Sequence, residues 1–175
     1  PIDLLLVEHG KVDTSDWKTY RSEQYGFEVR YPPSLEPLGG STLFYGGELK
    51  RKYAPVLDLC FASVVMREFY CDFELFVWDK VAEAYLSSPD KFFGLQRCAQ
   101  ERTYVPRFGT VTGVEIDVCE KGDYGELYIR NAVARKDNLI FILSTEPRAG
   151  YLVSSNKDVL FHQLLSTFKF IPSDK

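Results

Sequence analysis

Histidine is scarce in this chain, which has only His9 and His162 among its 175 residues. Imidazole titrates nearest to neutral pH and is the commonest metal ligand in proteins, so metal centres and general-base catalysis usually draw on it. His9 lies near the start of the chain, and His162 lies on a segment with helical periodicity. We therefore predict no histidine-based metal cluster and no catalytic triad, and we interpret His162 as a helix-surface or partly buried side chain.

Closely spaced cysteine pairs are also absent. Cys60, Cys71, Cys98 and Cys119 are separated by 11, 27 and 21 residues, whereas structural zinc sites use cysteines roughly two to four residues apart. We predict no metal and no other cofactor. In an exported chain the four cysteines would permit two disulfides in three connectivities, and the alternative is that some of them are free, buried thiols.

The chain has no excess of positive charge and no long apolar run. Its 21 basic and 25 acidic residues give a net charge of -4, so it lacks the basic field that attracts nucleic-acid backbones, and we predict no nucleic-acid binding. No stretch approaches the roughly 18 apolar residues of a membrane span. Leu4–Val7 is too short for the core of a signal peptide. We expect a targeting segment or a membrane tether upstream of residue 1.

Aromatic and other apolar residues are plentiful. Apolar residues make up 45% of the chain and aromatic residues 15%, against a single methionine, a composition that suits strands packing on pleated surfaces. The length is that of one domain with one substantial core. We predict a lead-in segment at residues 1–15, a single domain at 16–172 and a tail at 173–175.

An aromatic hairpin stands near the start of the predicted domain. Trp17–Tyr20 is predicted as one strand and Phe27–Tyr31 as the next, because apolar and charged residues alternate along the second. Arg21–Gly26 forms the reversal between them. Pro32 and Pro33 end the second strand, since proline cannot donate to a ladder.

The rest of the chain predicts strands and two helices. Val56–Met66 is apolar and rich in β-branched residues, as a strand buried on both faces would be. Apolar residues at three-to-four-residue spacing predict a helix over Asp72–Ser88. Short turns then link predicted strands, followed by a second helix and a closing strand: Arg102–Pro106, Gly109–Cys119, Gly125–Lys136, Asn138–Thr145, helix Asn156–Thr167 and strand Phe168–Ile171. This order predicts an α+β fold, an antiparallel sheet flanked by helices in a layered α/β/α sandwich.

Motifs at the two ends of the domain resemble the PsbP-like superfamily. They are the hairpin with Tyr25-Gly-Phe27 and Tyr31-Pro32, and the closing run Leu164–Phe170. The chain looks most like bacterial members that form the exported part of small lipoproteins of unknown function. The resemblance implies a PsbP-like fold and docking to other proteins, as for the PsbP subunit of the oxygen-evolving complex and a Ran-binding nuclear-import factor. The chain lacks the basic N-terminal arm with which PsbP docks on its membrane complex, which argues against a photosystem role.

Three carboxylates are candidates for chemistry. Asp58 lies between Leu57 and Leu59 on the predicted buried strand, where it is either a structural group with a partner or an active-site acid. Glu115 and Asp117 share one face of a predicted strand. They could serve acid–base catalysis or cation binding, but we favour a solvated strand face.

Two groups of residues are candidates for binding. Lys50, Arg51 and Lys52 form a short basic run beside a glycine-rich corner, which could contact an acidic partner or lipid headgroups, or be an ordinary solvated loop. Tyr70 and Trp78 are the aromatic residues that could line a cleft, although aromatic residues at this spacing more often belong to a core.

The sequence thus favours a non-enzymatic, extracytoplasmic protein-interaction domain with an unidentified protein partner. The alternative is a small-ligand or carbohydrate-binding module that uses an aromatic cleft. A weaker alternative is a hydrolase that uses Asp58 or the pair Glu115 and Asp117. The sequence does not predict an oligomeric state.

Overall fold

The computed structural model describes residues 13–39, 55–64, 71–79, 96–97, 105–122, 125–145 and 155–172. These residues form twelve strands and one helix. The strands are β1 (Lys18–Ser22), β2 (Phe27–Tyr31), β3 (Leu35–Gly39), β4 (Leu57–Ser63), β5 (Cys71–Trp78), β6 (Gln96–Arg97), β7 (Arg107–Phe108), β8 (Val111–Thr112), β9 (Val114–Gly122), β10 (Gly125–Lys136), β11 (Leu139–Thr145) and β12 (Lys169–Phe170), and the helix is α1 (Ser155–Ser166).

The strands pair into three antiparallel sheets. The large sheet has the order β3-β4-β5-β11-β10-β9-β6, a smaller sheet has the order β1-β2-β12, and β7 and β8 form a two-stranded ribbon. Short turns place β9, β10 and β11 next to one another, as the sequence predicts for a meander. The predicted N-terminal hairpin is the pair β1 and β2.

The predicted α/β/α sandwich is wrong. The described chain is mostly antiparallel strand, with α1 as its only helix. The first part of the predicted helix Asp72–Ser88 is strand β5 in the structure. This strand pairs with β4 and β11. Apolar side chains lie on both faces of β5, and both sets are buried. A strand that is apolar on both faces also has apolar residues at three-to-four-residue spacing. This spacing therefore predicted a helix where the chain forms a strand. Residues 80–88 of the predicted helix lie outside the described part.

One core joins the two larger sheets, the ribbon and α1. Phe27 of β2 is fully buried, and its ring centroid lies 5.9 Å from that of Phe168 and 5.5 Å from that of Phe141. Phe108 of the ribbon lies 5.0 Å from Phe168 in an edge-to-face arrangement. Such ring pairs stabilise beyond their buried area by about 0.5–1.5 kcal/mol each. Phe168 therefore connects the first hairpin, the ribbon and the end of α1.

The end of the chain is hydrogen-bonded to the first hairpin. The Thr167 hydroxyl oxygen lies 3.0 Å from both the amide nitrogen and the carbonyl oxygen of Arg30, and 2.8 Å from the Leu164 carbonyl oxygen in the last turn of α1. Ile171 donates its amide to the Gly26 carbonyl at 2.9 Å. These bonds join the two sequence motifs that resemble PsbP-like proteins, because Thr167 lies in the closing run and Arg30 lies in the hairpin.

A row of charges crosses the small sheet. Glu28 of β2 accepts bonds from Lys169 of β12, at 3.1 Å, and from Arg21 of β1, at 3.3 Å. The Lys169 ammonium first, and the Arg21 guanidinium second, hold the pKa of the Glu28 carboxyl below its ordinary value. Both cations are largely exposed, so the row orders the strands more than it stabilises them.

A disulfide joins β4 to β5. Cys60 and Cys71 are bonded to each other, with their Cα atoms 5.2 Å apart, beside a register shift between Phe61 and Ala62. Both cysteines are buried. The sequence left three connectivities open. Cys98 lies outside the described residues, and the backbone of Cys119 pairs with Gln96.

Loss of this disulfide is expected to lower the free energy of unfolding by about 3 kcal/mol, because the bond restricts the unfolded chain over a short loop. Urea denaturation of the wild type and of the Cys60→Ala/Cys71→Ala variant measures the loss. Reductant should destabilise the wild type by a similar amount and should change the double variant much less. Equal stability of variant and oxidised wild type would show that the bond contributes nothing.

Candidate functional site

The ribbon of β7 and β8 presents an unusual surface. Arg107 pairs with Thr112 and Phe108 with Val111, around a two-residue turn at Gly109 and Thr110. The Gly113 amide donates to the Pro106 carbonyl at 2.8 Å, which continues the pairing by one residue. Val105 and Val114, which flank this bonded pair, are therefore close neighbours at the open end of the ribbon.

Side chains alternate between the two sides of the ribbon. Pro106 and Phe108 are buried on the inner side, whereas the residues on the other side are exposed. We call that side the outer ribbon face, and it consists of Val105, Arg107, Thr112 and Val114.

The ribbon is held firmly at its turn. Phe108 is fully buried against Phe168, and the Gly109 amide donates to the Leu165 carbonyl of α1 at 3.0 Å. Gly109 has a φ of 58°, and a Cβ atom there would lie 1.9 Å from the Phe168 carbonyl oxygen. The outer ribbon face therefore stands on a rigid support, which reduces the ordering cost of binding.

Two large apolar side chains on this face are unusually exposed. Val114 is 62% exposed and Val105 is 57% exposed, more than the other exposed large hydrophobic residues of the described chain. Single exposed apolar residues are ordinary, but these two flank one hydrogen-bonded pair of the same ribbon. Arg107 lies on the same face and makes no ion pair with any residue that the structure describes. Arginine is one of the residues enriched at protein interfaces.

A separate cleft of about 370 Å³ lies where the small sheet meets the edge of the large one. Its lining consists of Lys18, Tyr31, Leu35, Glu36, Pro37 and Val64. Burial, and to a lesser extent the Glu36 carboxylate, raise the pKa of the Tyr31 phenol above its ordinary value. The phenol therefore stays protonated and can donate or accept a hydrogen bond. The cleft has one aromatic residue in its lining.

The predicted binding residues do not form this cleft. Trp78 is only 3% exposed and packs with its ring centroid 5.0 Å from that of Phe76, on the face of β5 opposite the main core. Tyr70 and the basic run Lys50, Arg51 and Lys52 lie outside the described residues.

Glu115, one of the two carboxylates predicted on a solvated strand face, is buried. The Glu115 side chain is 3% exposed, and its Oε1 atom lies 3.2 Å from Nε of Arg130, which is equally buried. Glu115 pairs across the ladder with Ala132, a fully buried core residue, so it lies on the core side of the large sheet. The backbone of Asp117 lies opposite Arg130. Asp58 of β4 is half-buried opposite Phe76.

The outer ribbon face was missed by sequence reasoning. The sequence does contain a signal for the ribbon. Val105 and Arg107 alternate with Pro106 and Phe108 just before Gly109, and such alternation before a glycine is typical of a hairpin with a two-residue turn. The pattern by itself does not tell which side of the hairpin is covered. Valine is usually buried and proline is usually exposed. Composition therefore favoured burial of the side that carries Val105, which is the exposed side in the structure.

Two other kinds of functional feature are absent from the described residues. No cluster of three or more histidine, cysteine or acidic side chains in that part of the chain could hold a metal ion. No helix there has both the length and the apolar character needed to cross a membrane.

Comparison with known proteins supports the fold. No protein-family model matches the sequence, and no curated protein matches it either. The chain is similar to the solution structure of cyanobacterial PsbP (CyanoP) from Synechocystis sp. PCC 6803, with a TM-score of 0.53 and 14% identity over 92% of this chain and 96% of that one. It is also similar to a crystal structure from Bacteroides thetaiotaomicron VPI-5482, with a TM-score of 0.52 and 9% identity over 91% of this chain. The chain spans 50% of the Bacteroides protein. The predicted PsbP-like fold is confirmed, and at these identities the likeness concerns the fold alone.

Proposed function

We propose that this chain is a non-enzymatic protein-interaction domain that acts outside the cytoplasm and binds its partner through the outer ribbon face. The observation that carries the proposal is the neighbouring pair Val105 and Val114, 57% and 62% exposed on a rigidly held ribbon. A likeness to PsbP fits this role, because the resemblance implies docking to other proteins.

The extracytoplasmic part of the proposal is supported by the disulfide. Cys60 and Cys71 are bonded to each other and buried in the sheet. Structural disulfides persist in oxidising compartments and are rare in the cytosol. A tether upstream of residue 1 would hold such a domain at a membrane surface.

The non-enzymatic part is supported by the surroundings of the carboxylates. Of the three candidate carboxylates, Glu115 is the one whose side-chain contacts the structure describes most fully. It is buried in an ion pair with Arg130 on the core side of the sheet. A general acid or base must lie within hydrogen-bonding reach of a substrate, and this position gives it none.

Site-specific photo-crosslinking in the source cell tests the proposal. We expect a benzophenone amino acid in place of Val114 to crosslink one discrete protein, because Val114 is the most exposed apolar side chain of the outer ribbon face. The same amino acid in place of Thr19, an exposed residue of β1, serves as the control and should not crosslink that protein.

The Val105→Ser/Val114→Ser variant completes this test. Both positions are exposed, so the changes should alter the free energy of unfolding by less than about 0.5 kcal/mol each, while co-purification of the crosslinked protein should be lost. Equal crosslinking from positions 114 and 19, or full retention of the protein by the double variant, would exclude the outer ribbon face as the binding surface.

A further inference from the structure

We infer that the outer ribbon face recognises a protein segment that offers a carboxylate beside an aliphatic or aromatic side chain. The inference rests on the proposed function and adds the chemistry of the partner. Its evidence is the combination of one arginine and two valines on the same side of the ribbon.

Arg107 supplies the charged half of this recognition. It is exposed on the outer ribbon face, at the end nearer the turn, and forms no ion pair with the described residues. A guanidinium carries five donors in a planar fork that matches a carboxylate with two parallel hydrogen bonds. The hydroxyl of Thr112, which is directly opposite Arg107 in the ladder, adds a further donor and acceptor beside it.

Val105 and Val114 supply the apolar half. They lie next to each other at the open end of the ribbon, one residue beyond the pair Pro106 and Gly113. Val114 pairs in turn with the half-buried Val133 of β10, so the apolar surface continues onto the large sheet.

A second copy of this chain fits the face poorly. In a two-fold interface the same patch meets itself, so Arg107 of one copy would face the region of Arg107 in the other. Like charges brought together at an interface cost several kcal/mol. The net charge of -4 does not oppose an acidic segment at close range, because salt screens charges more than about 8 Å away.

Selection from a displayed library of random 12-residue peptides tests the inference. Peptides that the wild type selects should combine Asp or Glu with a neighbouring large apolar residue. The Arg107→Glu variant should select Lys or Arg at the same place, and the Val105→Ser/Val114→Ser variant should yield no consensus. The selected consensus peptide, made synthetically, should bind the Arg107→Ala variant at least tenfold more weakly than the wild type.

Lys18→Glu is the matched control, since Lys18 is an exposed cation of the separate cleft, and it should select the wild-type consensus. The wild type could instead select apolar peptides without acidic residues. If that selection is lost in the Val105→Ser/Val114→Ser variant and unchanged in the Arg107→Glu variant, the partner chemistry is overturned and the proposed function stands. A consensus that responds only to Lys18→Glu, or none at all, would overturn both. Sedimentation showing a dimer that Val105→Ser/Val114→Ser dissociates would overturn the inference in favour of a second copy.

Discussion

Replacing Arg130 by methionine is expected to lower the free energy of unfolding by about 3–5 kcal/mol, because it removes a cation from a carboxylate that is almost fully buried. Nε of Arg130 lies 3.2 Å from Oε1 of Glu115, and each side chain is 3% exposed. Methionine has a similar length and no charge, so packing along the stem is largely kept. Urea denaturation at neutral pH measures the loss.

Glu115→Gln in the Arg130→Met background should recover part of this loss, because the double variant no longer buries the glutamate charge. A double-mutant cycle over the two sites should give a coupling energy of about 1–3 kcal/mol. Arg21→Met is the matched control. Arg21 is bonded to Glu23 at 2.6 Å and to Glu28 at 3.3 Å, but its side chain is 50% exposed, so solvent screens both pairs and the loss should be much smaller. Equal losses at positions 21 and 130 would contradict a role for burial.

Gly109→Ala is expected to cost about 3–5 kcal/mol, for two reasons that add. The backbone has a φ of 58°, where a side chain is strained, and the new Cβ would lie 1.9 Å from the Phe168 carbonyl oxygen. That oxygen belongs to the backbone and cannot move aside without shifting the end of α1. The variant should unfold at lower urea concentration and should also bind the partner of the outer ribbon face more weakly, because the ribbon turn is displaced.

Gly39→Ala is the control for this change. Gly39 ends β3, and a Cβ atom there meets no other atom within 4 Å. The same substitution should therefore change the free energy of unfolding by less than about 0.5 kcal/mol. If Gly109→Ala proved as mild as Gly39→Ala, the close approach of the ribbon to Phe168 would be wrong.

Local patterns predicted several elements at or near their observed bounds. The first hairpin followed from alternation in Phe27–Tyr31, and α1 was predicted within one residue of each observed end. Strand β10 was predicted with its observed bounds, Gly125–Lys136. In Phe27–Tyr31 buried residues alternate with half-buried ones, so there the two-residue period by itself distinguishes a strand from a helix.

Prediction failed where burial depends on a distant neighbour. Strand β5 is buried on both faces and so lost its two-residue period. Glu115 is buried only because Arg130, on the adjacent strand, meets it, and that pairing requires the register of β9 and β10. The exposure of Val105 and Val114 likewise depends on which side of the ribbon packs against Phe168. The sequence shows which side chains such a site contains, but it does not show which distant residues pack over them.

The order of strands in the small sheet has a consequence for biosynthesis. Glu28 of β2 pairs with Lys169, and Thr167 reaches Arg30 across 137 residues of chain. A ribosome releases the N-terminus first, so the first hairpin emerges long before the strand and helix that cover its apolar side. Closing such a long loop is slow and costs entropy before it yields contacts. Folding of this domain is therefore completed only after residues 167–170 have been synthesised.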